Sequence, residues 1–489
     1  MIERYQDTDI AWIWSDGNKL SGWQATELAV DEAKVGLGML SKATYNRISE
    51  ILNDSSIDLN VWKEIEASIN HDLEAFVEER RRHLPPELKR YIHEEITSYD
   101  DEEPVFARMI LSSAIVFKKY LSELQETIYH LAHKYRYTVM MGRTHGQKGE
   151  LQTFGKRCLT WLRALQIDQE NLERSLSALK YSKISGAMGN YGNIDPRIEK
   201  EALKILGLQP FYGATQIIPR ENYAPVAQAL CQTVLTLSKI ALDIRLGARS
   251  GRPILQEPFS KKQKGSSAMP HKKNTIRTEQ IEGMARMALG FLYMIMSNIL
   301  TWEERSIEQS SVERIAWPDL FHVAVHSLKS MDKVLKGLVV FRENMLLEII
   351  DSRGTYASAQ AKEFLKNFFD PEEAYRIVQL ASFNAFNSGR KAKTDEGFKS
   401  LDEAVAVTEE LRFRPYEQPI SIREIIMEGK LSVSSELDIT PETVESWNLK
   451  LKQVFDCPDC QQEWEQIFSF PHLLKNENIL FEQIGLTSS

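Results

Sequence analysis

The stretch FARMILSSAIVFKKYLSELQETIYHL, residues 106–131, decides the fold class of this 489-residue chain. Its apolar side chains recur at steps of three and four residues, with one turn skipped, which places them on one face of an α-helix. They are Phe106, Ile110, Phe117, Leu121, Leu124, Ile128 and Leu131. The stretch therefore predicts a helix of about seven turns whose apolar stripe must be buried.

Two further stretches, residues 154–179 and 226–244, carry similar apolar stripes. Glycine and proline are sparse, with 24 and 17 residues, and strand-like alternation is rare. Several long helices in one region bury their stripes against each other, which predicts an all-α fold with a central long-helix bundle. Helices of this length often share their apolar seam with other subunits.

The pattern divides the chain into three predicted domains. Residues 1–104 read as mixed polar helices that close in the acidic run SYDDEEP, and residues 105–353 hold the long helices. In residues 354–489 the helical patterns shorten and charged residues increase, which predicts a smaller C-terminal helical domain.

Composition and charge exclude several classes of protein. The formal net charge is −9, so no basic excess exists to neutralise nucleic-acid phosphates. The N-terminus MIERYQDTDIAWIW has early acidic residues and lacks the apolar core of a secretory signal. The most apolar run, residues 287–296, is about half the length that a bilayer requires. We therefore expect a cytoplasmic protein without nucleic-acid or membrane partners.

Four cysteines make no disulfide framework in a chain of this length. Cys158 and Cys231 fall on apolar faces of predicted helices, which favours packed thiols. Cys457 and Cys460 form an isolated CPDC, which is either half of a zinc site with His472 or a plain surface turn.

Four polar segments interrupt the helical pattern. The first spans residues 71–98, the second 140–147 and the third 213–222, whereas the fourth combines 264–274 with 301–314. Each segment alone is a connection between helices, where a histidine is more often a surface or capping residue. Their functional interpretation therefore depends on what they contain together.

The second and fourth segments contain residue types suited to proton transfer and anion stabilisation. His145 lies between Gly142 and Gly146, where the backbone can approach a ligand closely, and its side chain suits a general acid. The loop KGSSAMPHKKN, residues 264–274, supplies hydroxyls, a cation at Lys272 and an amide donor at Asn274. Such a set can stabilise a doubly charged intermediate derived from a carboxylate.

Several motifs resemble those of the fumarase/aspartase superfamily of anti-eliminating lyases: GSSAMPHKKN, GRTHG, the Thr-Gln at 215–216 and SSVER. Within it, MIERY, HDLEAF, TVMMGRTHG, FGKR and ILFEQIGL resemble the adenylosuccinate lyase family in the same order, over nearly the whole chain. The resemblance implies a three-domain all-α lyase, assembled as a homotetramer whose active sites are shared between subunits. It implies cleavage of adenylosuccinate to AMP and fumarate, and of the succinylated carboxamide ribotide earlier in purine synthesis.

The same resemblance implies catalytic roles without a cofactor or metal ion. Ser266 would be the base that takes the Cβ proton of the succinyl group, and His145, with Thr144 beside it, would protonate the departing nitrogen. Lys272 and Asn274 would hold the carboxylate as it becomes an aci-carboxylate, while Glu279 would brace the site.

Substrate-binding roles are implied for a larger set of polar residues. The nucleotide phosphate would be gripped by Arg4, Tyr5, Arg305, Ser310 and Arg314. The succinyl carboxylates or the base would contact Thr97, Ser98 and Gln216, with His71 and Asp72 completing the first segment.

Some positions depart from the family's usual residues. They are Asn70 for arginine, Glu95 for glycine, Lys148 for histidine, Asn222 for arginine and Thr275 for proline. These changes leave open a paralogue that releases fumarate from another, smaller N-succinyl compound, although the retained phosphate-binding residues argue against it. A non-catalytic structural homologue is the other alternative, and the intact catalytic set opposes it.

Overall fold

A computed structural model describes residues 1–265, 268–387, 398, 400–412 and 420–485. The described residues are 66% helical, which confirms the all-α prediction. Among the described residues, no helix is both long enough and apolar enough to cross a membrane.

The helices between residues 8 and 297 include the long ones that the apolar stripes predicted. Their bounds are α1 Thr8–Ile13, α2 Asp16–Gly36, α3 Lys42–Asp54, α4 Leu59–Ile69, α5 Asp72–Arg81, α6 Ser98–Lys134, α7 Phe154–Leu176, α8 Pro196–Ile205, α9 Ala224–Gly247 and α10 Ile276–Ser297. The predicted stripes at 106–131, 154–179 and 226–244 coincide with α6, α7 and α9, although α7 ends in a 3-10 turn, Ser177–Lys180.

As the sequence predicted, the described helices after residue 353 are shorter than α6, α7 and α9. The remaining helices of the described residues begin at Glu308. They are α11 Glu308–Lys336, α12 Arg342–Ile350, α13 Ser358–Leu365, α14 Pro371–Asn387, α15 Leu401–Arg412, α16 Ile422–Met427, α17 Pro441–Phe455, α18 Pro458–Ile467, α19 Phe470–Leu473 and α20 Asn478–Glu482. The strands are β1 Val139–Thr144, β2 Gln147–Thr153, β3 Tyr181–Ser182, β4 Gln209–Pro210, β5 Leu255–Gln256 and β6 Val339–Val340.

The chain divides into two compact units, each built from separate stretches of sequence. The first unit contains Met1–Ile128, Trp161–Arg249 and Leu255–Val339. The second contains Tyr129–Thr160, Ser250–Ile254 and Val340–Ser489. The division into three domains at residues 104 and 353 stays a prediction, and α6 runs through residue 104.

The core of the first unit is a bundle in which α9, α10 and α11 pack against one another. Aromatic rings extend this core around Phe106, whose ring centroid lies 5.0 Å from Tyr223, 6.0 Å from Trp317 and 6.1 Å from Trp14. Buried aromatic side chains contribute large apolar areas and fix orientation through edge-to-face contacts. Cys231 on α9 is buried in this unit, as predicted.

The second unit combines a β-hairpin with short C-terminal helices. Strands β1 and β2 pair antiparallel from Val139 opposite Thr153 to Thr144 opposite Gln147. The C-terminal helices enclose a hydrophobic cluster in which the ring of Phe364 stacks on that of Phe455, while the Trp464 ring packs at an angle against both. Cys158, at the start of α7, is buried as predicted.

Candidate active site

A cavity of about 310 Å³ in the first unit collects residues from separate polar segments. Six residues to which the sequence assigned binding roles line it: His71, Asp72, Ser98, Arg305, Ser310 and Arg314. The first and fourth polar segments, more than 200 residues apart, therefore meet within one unit of one chain.

The wall formed by the first segment begins with α5. His71 is the N-cap of this helix, and its Nδ1 accepts a hydrogen bond of 3.2 Å from the Glu74 amide. Asp72 follows, and its Oδ2 accepts a hydrogen bond of 2.5 Å from Arg314 Nη2 and lies 3.9 Å from Lys19 Nζ. Burial acts to raise the pKa of Asp72, but the charges of Arg314 and Lys19 outweigh it and lower the pKa. Asp72 is therefore an ionised anchor for Arg314.

Arg305 on the opposite wall is held by the third segment. Its guanidinium lies 3.9 Å from the ring centroid of Tyr99, and its Nη1 donates a hydrogen bond of 3.1 Å to Gln216 Oε1. Thr215 Oγ1 donates to the Glu304 carbonyl at 2.7 Å, which ties the third segment to the fourth. Within the described protein, the buried Nε of Arg305 has no hydrogen-bond partner.

The turn that carries Thr97 and Ser98 is fixed from beneath by a buried ion pair. Asp100 Oδ2 accepts a hydrogen bond of 2.9 Å from the Thr97 amide, and Asp100 Oδ1 accepts one of 2.5 Å from Lys183 Nζ. Both side chains of this pair are completely buried. The sequence analysis missed this anchor, because Asp100 lies in an acidic run that indicated only a domain boundary.

Glu102 is a second residue that the sequence analysis missed. Its carboxylate lines the cavity and lies 3.9 Å from Arg314 Nη2. Burial and the negative charge of Asp72 raise the pKa of Glu102 to about 7, against the opposing charges of Lys19 and Arg314. Near neutral pH, this wall of the cavity therefore exchanges a proton.

A smaller cavity of about 180 Å³ lies behind the first and shares Tyr99, Glu102, Ser310 and Arg314 with it. It is also lined by Arg220, whose guanidinium binds Glu313 Oε1 at 2.8 Å and Glu103 Oε1 at 2.5 Å. Aromatic and apolar side chains complete its wall: Trp14, Trp23, Val105, Phe106 and Met109. A flat, partly polar group fits such a lining better than a second anion, because its cations are already paired.

His93, from the first segment, lies in a buried acidic environment. Its Nδ1 lies 3.0 Å from Glu27 Oε1 and 3.3 Å from Asp101 Oδ2. Burial acts to lower the pKa of His93, but the two carboxylates raise it to about 10. Of the residues that the structure describes, only these three form a group with metal-ligand spacing, and a protonated His93 already offsets their negative charge. In the part of the chain that the structure describes, Cys457 and Cys460 belong to no such group.

Arg4 and Tyr5 lie in a short 3-10 turn, Glu3–Tyr5. The Arg4 guanidinium lies 5.8 Å from the Tyr5 ring centroid, and that ring packs edge-on against His326 at 5.0 Å. Neither residue, both of which the structure describes, is among those lining the 310 Å³ cavity. The structure of a single chain therefore does not bring these two predicted phosphate contacts to the others.

The loop of residues 264–274 is described only in part, and Ser266 lies outside the described residues. A side chain at Gly265 would place its Cβ 2.2 Å from the Lys272 carbonyl oxygen, so the loop's close approach requires glycine. Lys272 is exposed and Asn274 is half-buried. Glu279 accepts a hydrogen bond of 3.3 Å from Thr275 Oγ1.

The loop ends at a firm anchor that the sequence analysis missed. Both carboxylate oxygens of Glu257 accept backbone hydrogen bonds at the start of α10, from the Arg277 amide at 3.2 Å and from the Thr278 amide at 2.8 Å. A carboxylate at a helix N-terminus satisfies otherwise unpaired N–H groups. Glu257 thus fixes the point at which the loop joins α10.

His145 and Thr144 belong to the second unit. The sequence favoured a connection between long helices here, and the structure makes that connection a β-hairpin with His145 at its tip. His145 and Gly146 have φ angles of 53° and 76°, the left-handed pair that a tight two-residue hairpin requires. Arg143 Nη2 holds Glu348 Oε1 at 2.9 Å on α12, so the exposed histidine projects from an anchored hairpin.

Comparisons with known proteins define first a class and then a family. A family model described as lyase matches residues 3–290. The chain also shares its fold with a fumarate lyase from Mesorhizobium sp. BNC1, with a TM-score of 0.73 at 19% identity over 96% of this chain and 99% of that one. The 3-carboxy-cis,cis-muconate lactonizing enzyme from Pseudomonas putida gives a TM-score of 0.75 at 18% identity, over 98% and 96%. The chain is thus a lyase by family and has the fold of these enzymes.

Relatives of higher sequence identity indicate which family of lyases the chain belongs to. The adenylosuccinate lyase of Bacillus subtilis (strain 168) is 30% identical over 487 residues, which cover 99% of this chain and 100% of that protein. The adenylosuccinate lyase of Synechocystis sp. is 37% identical over 389 residues, covering 79% and 89%. The chain belongs to the adenylosuccinate lyase family.

Proposed function

We propose that the protein cleaves adenylosuccinate to AMP and fumarate by anti β-elimination, and the succinylated carboxamide ribotide of purine synthesis in the same way. The observation that carries this proposal is the meeting of the first, third and fourth polar segments around one cavity, in a chain related to adenylosuccinate lyases over its full length. A substrate with one phosphate and two carboxylates suits a cavity that presents arginine and hydroxyl donors.

In the proposed reaction, Ser266 removes the proton from the succinyl Cβ and His145 delivers a proton to the departing nitrogen. The electron pair released at Cβ forms the new double bond as the C–N bond breaks, so fumarate and AMP leave without hydrolysis. Lys272 and Asn274 stabilise the aci-carboxylate that forms between these steps, with Thr144 and Glu279 supporting the site. Fixed donors aimed at developing charge are the largest expected contribution to such a rate.

Binding of the phosphate is proposed for Arg305, Ser310 and Arg314, joined by Arg4 and Tyr5. Two observations support the first three: they line one cavity, and Arg305 Nε keeps a buried donor without a protein partner. Thr97, Ser98 and Gln216 are proposed for the carboxylates or the base, with His71 and Asp72 positioning Arg314.

We also propose a cytoplasmic homotetramer whose active sites draw residues from more than one subunit. The support is a set of apolar side chains that a single chain leaves exposed along its bundle. On α9 these are Leu235, Leu242 and Leu246, and on α10 they include Leu289 and Tyr293. Large exposed apolar faces mark protein interfaces, so we expect these faces of α9 and α10 to pack against other subunits.

A fumarate-release assay tests the proposed reaction against its rivals. Adenylosuccinate, the succinylated carboxamide ribotide and a small N-succinyl amine without phosphate would be compared at equal concentration. We expect turnover of both nucleotides and none of the small compound. Turnover of the small compound alone would identify the paralogue, and no turnover of any substrate would identify a structural homologue.

The shared-site proposal is tested by mixing two inactive variants. Ser266→Ala and His145→Gln chains carry different tags so that subunit exchange can be confirmed. Hybrid sites that receive the intact serine and the intact histidine from different chains would recover up to roughly a quarter of wild-type activity under random mixing of a tetramer. Confirmed hybrids without activity would place both residues of one site on the same chain.

A further inference from the structure

The CPDC sequence opens α18 in the second unit and lies outside the proposed catalytic set. Cys457 is the N-cap residue of this helix and is exposed, whereas Cys460 occupies its first turn and is half-buried. The Cys460 side chain packs against the C-terminal hydrophobic cluster that contains Phe455 and Trp464. The two thiols therefore have different surroundings although they are neighbours on one helical turn.

These surroundings divide the two thiols into an attacking and a resolving partner. The backbone amide and the thiol of Cys460, together with the Asp459 amide, lower the pKa of Cys457, against a smaller opposing effect of the Asp459 carboxylate. The neighbouring Cys457 sulfur and burial raise the pKa of Cys460. A low-pKa exposed thiol followed by a higher-pKa thiol at a helix N-terminus is the arrangement found in C-x-x-C disulfide chemistry.

The other two cysteines provide a comparison within the same chain. Cys158 and Cys231 are buried, and burial raises the pKa of each thiol. Neither is placed to reach a small-molecule oxidant while the protein is folded. Any rapid thiol chemistry of the native protein should therefore be confined to α18.

We propose that Cys457 and Cys460 are a reversible dithiol–disulfide pair that exchanges with small-molecule disulfides. The Cys457 thiolate attacks one sulfur of the small disulfide and displaces one thiolate, forming a mixed disulfide. Cys460 then loses its proton, and its thiolate attacks Cys457 Sγ and displaces the second thiolate. Two electrons pass from the pair to the small molecule, whose two thiolates take up the two protons that the cysteines release.

The test uses the full-length protein equilibrated with mixtures of reduced and oxidised glutathione, then quenched by alkylation and mapped by peptide mass spectrometry. We expect an intramolecular Cys457–Cys460 disulfide whose ratio to the dithiol follows oxidised glutathione divided by the square of reduced glutathione. Cys158 and Cys231 should stay reduced and unalkylated until the protein is unfolded. Persistent mixed disulfide on the wild-type chain, or equal labelling of the buried thiols, would overturn the proposal.

Three variants separate the roles of the pair. Cys460→Ser should stop at the mixed disulfide with glutathione, and Cys457→Ser should form neither product. Asp459→Asn removes the carboxylate that opposes the Cys457 thiolate, so alkylation of Cys457 at pH 6 should become faster. The gain should be roughly three-fold per unit by which the pKa falls, because a larger thiolate fraction is partly cancelled by lower nucleophilicity. An unchanged or slower rate would contradict the assigned electrostatics.

Discussion

Glu102 is a carboxyl group whose ionisation should weaken the folded protein. Its side chain is 21% exposed, and it shares the cavity wall with Asp72, whose ionised carboxylate repels a second negative charge. Lys19, Arg314 and Arg305 act in the opposite direction without cancelling the effect. Replacing Glu102 with glutamine keeps the shape of the side chain and removes the charge.

The pH dependence follows from the two states of the group. Its pKa is about 7 in the folded protein, against an ordinary value of 4.5 in an unfolded chain. Below 4.5 the group is protonated in both states and costs nothing, whereas above 7 it is ionised in both and opposes folding fully. Integration of this difference gives a penalty of about 3 kcal/mol at pH 8 and below about 1 kcal/mol at pH 5. Partial exposure makes the figure at pH 8 an upper limit.

Thermal unfolding followed by circular dichroism measures this penalty as a shift in Tm. For a chain of this length an unfolding entropy of about 2.1 cal/mol/K per residue converts 3 kcal/mol into roughly 3 °C. We expect Glu102→Gln to raise Tm by that amount at pH 8 and by less than about 1 °C at pH 5. Glu64→Gln, on the exposed side of α4, removes the same charge away from the cavity and is the matched control. All measurements share one protein concentration, because assembly also shifts Tm.

The difference between the Tm gain at pH 8 and the Tm gain at pH 5 shows whether ionisation of Glu102 is the cause. An equal gain at pH 5 and pH 8 would mean that glutamine improves packing or hydrogen bonding and that ionisation of Glu102 is not involved. A loss of stability at pH 8 would mean that the Glu102 charge is needed to hold Arg314, which would reverse our account of this wall.

Three further substitutions address the proposed chemistry. Ser266→Ala should lower kcat by about 10²–10⁴-fold with nucleotide affinity within a few-fold, and more than a tenth of wild-type turnover would exclude Ser266 as the base. His145→Gln should lower turnover least for substrates with better leaving groups, whereas equal losses would indicate positioning without proton donation. Arg305→Lys should raise KM for adenylosuccinate by about ten-fold or more, because a charge-assisted hydrogen bond is worth roughly 1.5–3 kcal/mol; unchanged KM would remove Arg305 from the phosphate site.

The helical architecture could be predicted from the sequence because the apolar periodicity of each long helix repeats over many turns. Most turns of α6 and α9 contribute another apolar residue to the same face, so the periodicity predicted both ends of α9 within three residues, whereas α6 begins eight residues before its predicted start. Motif resemblance then predicted a binding set, and His71, Asp72, Arg305 and Arg314 do line one cavity. Neither inference required knowledge of the distances between segments.

Features that depend on pairing between distant residues could not be predicted in this way. The hairpin at His145 arises from a cross-strand register and a left-handed turn, which the alternation of the short strands did not reveal. The acidic run at 100–103 indicated only a domain boundary, yet Asp100 is completely buried against Lys183, and Glu103 against Arg220. Only the folded structure shows that these two carboxylates are paired with cations.

Most of the cations that line the two neighbouring cavities are already paired with carboxylates of the protein. Arg314 is oriented by Asp72, and Arg220 by Glu103 and Glu313, so neither must search for a geometry when an anion enters. Each carboxylate that orients an arginine also repels the anionic groups of the proposed substrate, which weakens binding. Arg305 is positioned instead by the Tyr99 ring and the Gln216 amide, and among the described residues its buried Nε has no hydrogen-bond partner. We therefore propose that Arg305 binds an anionic group of the substrate without breaking an existing ion pair.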